Sequence, residues 1–506
     1  MQISLRIGLR LTINFSRREI WENILTIIRH FNELICDKIS LDRINITAEF
    51  GDGFHGGCVL MKNIIKLIGI VLTISMLTAC QGHTGATGTR DTSEFATAET
   101  TVAEENTSHL QQTAEATTAE SESPIPSCAD LSGLAKSYTE LPDYEKGDDT
   151  WRPLDLRQKD LSAVDLSGDL DRLLHAEFDT GTIWPDNLTE GFDPQTVMAI
   201  ARTPGLDIAS LHAEGITGAG VGIAIIDTPL LVEHSEYKDR IKYYEELSLD
   251  KYGSYQADLH GAFMTSIAVG KDCGIASGAD VYFISANVWN GDNSNLSWLT
   301  YAKAVDRVIE LNASLSDAEK IRVISISAAW QPGDAGYEEL EASIKRATDA
   351  GIFVVTCNTF IDSGYTFCFQ GLDRSPVDDK DAAESYSVVD WTQWLSMQRE
   401  GFASYYSEEF AAHTPEEILL VPMDSLLSAE PTGPDDYIFN RVGGWSAAEP
   451  FIAGLYALAC QVQPDITPEV FWEAALSTGD SKKIDIDGNQ YNGKMVDPVA
   501  LIDSLA

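Results

Sequence analysis

Basic residues are scarce in this sequence. Its 506 residues include 35 Lys and Arg against 78 Asp and Glu, a formal net charge of −43. The deficit is uneven. Residues 1–60 hold seven of each sign, residues 61–80 hold only Lys62 and Lys66, and residues 81–506 carry 26 basic against 71 acidic side chains. Such a surface repels phosphate backbones, which excludes nucleic acid as a partner. It is compatible with cationic ligands or Ca²⁺, although a solvated acidic exterior accounts for it without either. Membrane-length apolar character is wanting too: the run from Leu67 to Leu77 is too short to read as a span. The eight cysteines (Cys36, Cys58, Cys80, Cys128, Cys273, Cys357, Cys368 and Cys460) show no zinc-site spacing.

What is present begins with MKNIIKLIGIVLTISMLTAC, residues 61–80. Met61 and two lysines precede an apolar stretch that ends in Leu77-Thr78-Ala79-Cys80, the charged and apolar regions of a secretory signal. The ending resembles a bacterial lipobox, in which the cysteine is lipidated and becomes the first mature residue. This assigns Cys80 as the lipidation site and places the protein on the extracellular side of a bacterial membrane, held by the lipid alone. A signal of this kind starts a protein, so Met61 is the expected start. Gly56-Gly57 is encodable by GGAGG-type codons at the distance of a ribosome-binding site, and residues 1–60 are expected to be upstream sequence. Five cysteines then remain besides Cys80, an odd number that implies no disulfide framework, although Cys357 and Cys368 are near enough in sequence to bridge.

Residues 81–127 are rich in Thr, Ala, Glu and Ser and poor in large apolar side chains. They cannot bury enough surface to offset ordering entropy, and read as a disordered tether. Residues 128–204 form an N-terminal extension of unassigned role. Within it DLRQK-DLSAV-DLSGD, 155–169, repeats Asp-Leu at a period of five and would stack Leu156, Leu161 and Leu166. From 205 the pattern is regular, with apolar content (44% over the chain) sufficient for a large core. Helices are predicted at 206–215, 260–270, 298–311 and 338–351, and strands at 221–227, 279–287, 321–329 and 352–357. Strands that are apolar throughout and alternate with helices point to an α/β fold with a parallel sheet covered on both faces. Residues 446–462, 467–477 and 496–505 read as helices.

Catalytic groups in such sheets gather at the carboxyl ends of the strands. Asp227 ends the strand VGIAIID, His260 opens the helix in DLHGAFMTS, and Ser446 opens another in GGWSAAEPFIAGLYALA. A serine there has the character of a helix cap, and the positive end of the dipole favours developing negative charge. Singly, each residue has an ordinary structural explanation. Together, in the order Asp, His, Ser, they resemble the subtilisin-like serine peptidases. GITGAGVGIAIIDTPL is similar to that family's aspartate motif, DLHGAFMTSIAVG followed by CGIASGADVYFI to its histidine motif, and GGWSAAEPFIAGLYALACQVQPDITPEVFWEAAL to its serine motif. The resemblance covers roughly 205–505.

It implies a three-layer subtilisin-like fold with a mainly parallel sheet flanked by helices, over residues 205–506. It also implies an endopeptidase in which Ser446 attacks the peptide carbonyl, His260 shuttles the proton and Asp227 orients His260. Asn358 in GIFVVTCNTF would donate to the oxyanion beside the Ser446 amide, and Ser325, Ile326, Ser327 and Ala328 would form an edge strand for the extended substrate. The partner is then a protein or peptide substrate, the chain is expected to be a monomer, and no cofactor is required. Many relatives bind Ca²⁺, but DIDGNQYNG lacks the ligand spacing of an EF-hand and reads as a turn.

Several positions depart from the family pattern. Pro229 replaces a Gly, Ala262 to Ser266 replace Thr-His-Val-Ala-Gly, and Trp445 and Glu449 flank the serine unusually. They suggest a divergent branch with narrow specificity or weak general proteolysis. Phe263 reads as a packing replacement and Glu449 as a surface one. An α/β-hydrolase esterase is excluded, since it would need Gly-x-Ser-x-Gly and the order Ser, Asp, His. A catalytically silent member of the same fold, used as a binding or scaffold protein, is the alternative.

Overall fold

The computed structural model describes residues 2–7, 9–14, 45–49, 124–142, 153–247, 255–286, 297–357, 367–389, 417–486 and 489–506. They fall in two units, 1–115 and 116–506. In the first, strands Gln2–Ile7, Leu9–Asn14 and Asn45–Glu49 form an antiparallel sheet with Gln2–Ile7 in the middle. The signal segment 61–80, with Cys80, and the tether up to 123 lie outside the described residues.

In the second unit, the extension contains a short parallel pairing of Lys136–Ser137 with Lys159–Asp160, then β1 (Leu154–Asp155) parallel to β2 (Ala176–Asp179), and helix α1 (Pro194–Arg202). Asp193 starts α1 by accepting from Thr196 N, with Pro194 at the first helical position where no amide partner is missed. The period-five leucines Leu156, Leu161 and Leu166 are fully buried in one small core with Phe178. That core is completed by Leu427 and Phe439 from the far end of the sequence.

Next come α2 (Ile208–Ala213), β3 (Gly222–Asp227), β4 (Ile241–Glu246), α3 (Leu259–Val269), β5 (Asp280–Ser285), α4 (Leu299–Ser314), β6 (Ile321–Ile326), α5 (Tyr337–Asp349) and β7 (Phe353–Thr356). The strands form a five-stranded parallel sheet in the order β7-β6-β3-β5-β4. All six residues of β3 are buried, because the sheet is covered on both sides. Ile223 and Ile225 pack into the cluster containing α3, whereas Ala224 and Ile226 pack into the cluster containing α4 and α5. The side chains alternate between the two layers, as the strand period of two requires.

The remainder comprises β8 (Phe369–Arg374), β9 (Tyr386–Val388), β10 (Glu417–Pro422), β11 (Leu426–Ala429), β12 (Tyr437–Asn440), α6 (Trp445–Val462), α7 (Pro468–Thr478), β13 (Asp480–Ile486), β14 (Asn489–Met495) and α8 (Pro498–Leu505). Helix α6 packs in the same cluster as α3, completing the layer on that face of the parallel sheet. A second sheet runs β9-β8-β10-β14-β13, and a third runs β11-β12-β2-β1. The extension thus shares a sheet with the C-terminal half.

Two readings are corrected by this topology. The C-terminal part is not helical alone: the described residues of DIDGNQYNG lie in the antiparallel strands β13 and β14, whose polar sequence lacks the apolar alternation of a core strand. Its order comes from pairing with β10. The strand predicted to run to 329 ends at Ile326, and β6 is an interior strand between β3 and β7. Ser325 pairs with Ile225 on one side and Val355 on the other. Ser325 and Ile326 are therefore sheet core rather than an open edge, and only Ser327 and Ala328 emerge past it.

Candidate active site

Asp227 is the last residue of β3 and only 3% exposed. Its Oδ1 accepts from Thr228 N at 2.7 Å and Thr228 Oγ1 at 3.1 Å. The same oxygen lies 2.8 Å from His260 Nδ1. Helix α3 brings the ring there. Asp258 caps the helix by accepting from His260 N at 2.8 Å, and Thr228 Oγ1 also reaches Asp258 Oδ1 at 3.0 Å. Gly261 N donates to Thr228 Oγ1 at 3.0 Å. A Cβ at Gly261 would stand 2.3 Å from the Thr228 carbonyl oxygen, so the helix start can approach β3 this closely only with glycine after the histidine.

The His260 side chain is 39% exposed. Partial burial lowers its proton affinity, but Asp227, Asp258 and Glu449 outweigh that effect and raise its pKa to about 9. With Nδ1 held by a carboxylate, the tautomer that presents an unprotonated Nε2 is favoured once the ring loses its charge.

Ser446 is not the helix cap. Helix α6 starts at Trp445, and Gly444, at φ 64°, is the cap, with no side chain serving the first amides. Ser446 therefore lies in the first turn, where backbone N–H groups have no intrahelical acceptor. Its carbonyl accepts from Ser327 Oγ at 2.8 Å, and its hydroxyl points to Ser327 O at 3.5 Å. The residues just past β6 are thereby locked to the start of α6. Asn358 lies outside the described residues, one position beyond the buried Cys357. Cys357 and Cys368 are both free thiols, so the bridge between them is absent.

Two residues near the site were misjudged or unmarked in the sequence. Glu449, one turn along α6 from Ser446, is completely buried rather than a surface replacement, and neither carboxyl oxygen has a hydrogen-bond partner within normal distance among the described residues. Burial raises its pKa to about 8, with the neighbouring Cys357 thiol and His260 pulling the other way. Phe263 is buried packing, as expected. Asp424, in the turn between β10 and β11, accepts from Gly443 N and Gly444 N at 2.9 and 3.3 Å. No motif flagged it, since its contact spans nearly twenty residues and its turn has no distinctive composition. Trp445 Nε1 donates to Gln370 Oε1 at 3.3 Å and anchors the other side of the same entrance.

The structure thus pairs Asp227, at the end of β3, with His260, at the start of α3, and places Ser446 in the first turn of α6. The chain belongs to the Subtilase family, whose model matches residues 218–492, just over half of the sequence. It is similar to the subtilisin-like protease PopC of Myxococcus xanthus (strain DK1622), 24% identical over 307 residues, covering 56% of this chain and 60% of PopC. It is also similar to the serine protease AprX of Bacillus subtilis (strain 168), 27% identical over 310 residues, covering 56% of this chain and 66% of AprX. The chain spans less than two thirds of the length of either relative. Among solved structures it aligns with the prenylagaramide maturation protease PagA at 17% identity and a TM-score of 0.40, over 59% of this chain and 98% of that one.

Proposed function

We propose that this chain is a serine endopeptidase using Ser446, His260 and Asp227, and that the 2.8 Å contact of Asp227 with His260 Nδ1 is the observation that carries the reading. A serine hydroxyl is a weak nucleophile and needs a base. His260 Nε2 takes the Ser446 proton as Oγ attacks the peptide carbonyl, and returns it to the leaving amine as the acyl-enzyme forms. Water then attacks the acyl group through the same base. Asp227 holds the ring in orientation and stabilises its charged form. The Ser446 amide, free of a cap, and the Asn358 side chain would receive the oxyanion. Ser327 and Ala328, past the end of β6, offer backbone to an extended substrate. This chemistry needs no cofactor.

We further propose that the chain is lipidated at Cys80 and acts as a monomer on peptide or protein substrates at the outer face of a bacterial membrane. The signal-like segment 61–80 supports this reading, and its test is incorporation of labelled lipid precursor in the parent and its loss in Cys80→Ala. Unchanged incorporation in Cys80→Ala overturns it.

The alternative is a silent fold that binds without cutting. It draws on the Ser446 hydroxyl resting on Ser327 O. The active reading requires this hydroxyl to donate to His260 Nε2 instead. A fluorophosphonate probe separates the two. Labelling of the folded parent that disappears in Ser446→Ala supports the peptidase, whereas no labelling of folded, matured chain supports the scaffold.

A further inference from the structure

The entrance to α6 is held from a turn far away in sequence. Asp424 Oδ1 accepts two consecutive amides, Gly443 N at 2.9 Å and Gly444 N at 3.3 Å. These stand immediately before Trp445 and Ser446. The carboxylate is 6% exposed, so the contact is not diluted by solvent.

The turn carrying Asp424 is over-determined. Ser425 has φ 57°, a left-handed conformation uncommon for a residue with a Cβ. Three hydrogen bonds keep it there. Its hydroxyl donates to Arg374 O at 2.7 Å, its amide donates to Arg441 O at 3.1 Å, and its carbonyl accepts from Arg374 Nη2 at 3.0 Å. Backbone conformations of this cost persist where the surroundings fix them, and they cluster at functional sites. Here the fixed turn aims the Asp424 carboxylate. The two segments also touch directly: a Cβ at Gly443 would lie 2.1 Å from Met423 O and 3.0 Å from the ring of Phe263 on α3. The nucleophile loop is thus pressed between the Met423–Ser425 turn and the helix that carries His260.

We infer that Asp424 is a positioning residue for the nucleophile: by binding the Gly443 and Gly444 amides, it sets the direction in which the Ser446 hydroxyl and amide leave the start of α6. The inference rests on the reading of Ser446 as nucleophile. Asp424 touches neither substrate nor reacting atoms, and the Asp373–Arg441 ion pair (2.7 Å) lies at the same turn.

The test uses the full chain with Asp424→Ala, Asp424→Asn and Asp424→Glu. Amide hydrogen exchange is followed by mass spectrometry over 442–447, and fluorophosphonate labelling is resolved into its binding constant and its reaction step. In Asp424→Ala, exchange at Gly443 and Gly444 should accelerate about tenfold or more while the body of α6 stays protected. The reaction step should slow by about 10–100-fold with binding within about twofold, the signature of lost orientation. Asp424→Asn keeps an oxygen that accepts both amides and should recover most of the rate. Asp424→Glu keeps the charge but moves it by one methylene; it is expected to lose about tenfold, and it decides the matter should the alanine chain not fold. Unchanged exchange at 443–444 in the folded alanine or glutamate chain overturns the inference, as does a rate that falls in asparagine and alanine alike, in step with the thermal midpoint. A parent chain that never labels refutes Ser446 as nucleophile, yet the exchange measurement still decides whether Asp424 holds the loop.

Discussion

Asp227 Oδ1 and His260 Nδ1 stand 2.8 Å apart, and Thr228 closes the arrangement by reaching Asp227, Asp258 and the amide of Gly261 at once. The hydroxyl of Thr228 therefore ties the carboxylate at the end of β3 to the first turn of the helix that carries His260. A valine there keeps the shape and removes the tie. Thr228→Val is expected to lower kcat/KM on a peptide substrate by about 5–50-fold, mostly in kcat, since a base about 1 Å out of line costs rate more than binding. An unchanged kcat would mean that Asp227 alone orients the ring.

The surrounding carboxylates set a pH requirement. In the proposed mechanism His260 is the general base, which acts only when unprotonated, and it is raised to about 9 by Asp227, Asp258 and Glu449 despite partial burial. Activity should therefore climb with pH through about 9. Glu449→Gln removes one of the three acidic neighbours and should move the climbing limb to lower pH. The check is kcat/KM measured across the alkaline range for both chains. Coincident profiles would show that Glu449 does not act on His260.

The same residue makes a prediction about stability. Glu449 is raised from 4.5 to about 8 by burial, so the folded chain keeps a proton that the unfolded chain releases. Its contribution is present in full below the ordinary carboxylate range and is lost as pH rises from about 4.5 through about 8. The parent's thermal midpoint should fall over that window relative to that of Glu449→Gln. Parallel curves would contradict it.

How much of this was legible in the sequence differs by element. The strands β3, β5, β6 and β7 announced themselves because buried parallel strands are apolar throughout, and the Asp227 and His260 positions followed from strand end and helix start. The burial of Glu449 was not legible, because a charged residue near a helix start usually faces water and burial depends on what packs above it. β6 as an interior strand was not legible, because its neighbours β3 and β7 lie far off along the chain. The strands between Phe369 and Asn440 escaped for a related reason: β10 gains its order by pairing with β8 and β14, and β12 by pairing with β2, all distant along the chain. Asp424 belongs to this class, since a single aspartate in a turn carries no local sign of the two amides it binds.

Lys380 offers a test of how the extension is fastened. Its side chain is buried, and Nζ donates to Ala201 O at 3.0 Å and to Thr203 O at the C-terminal end of α1, where carbonyls have no helical partner. Lys380→Met leaves them without that donor. It should cost about 1–3 kcal/mol of stability by denaturant titration and speed proteolysis near residue 203. Unaltered stability would mean that water replaces the ammonium there.

The pairing of β2 with β12, Phe178 with Phe439, also has a consequence in time. Phe178 leaves the ribosome long before Phe439, and the small core of Leu156, Leu161 and Leu166 has to wait uncovered until Leu427 and Phe439 emerge. Contacts so distant along a chain close slowly. β12 then runs within a few residues into Gly443 and Ser446, so the stretch that bears the serine is among the last to find its place, and a chain cut short before β12 would have neither a finished core nor Ser446.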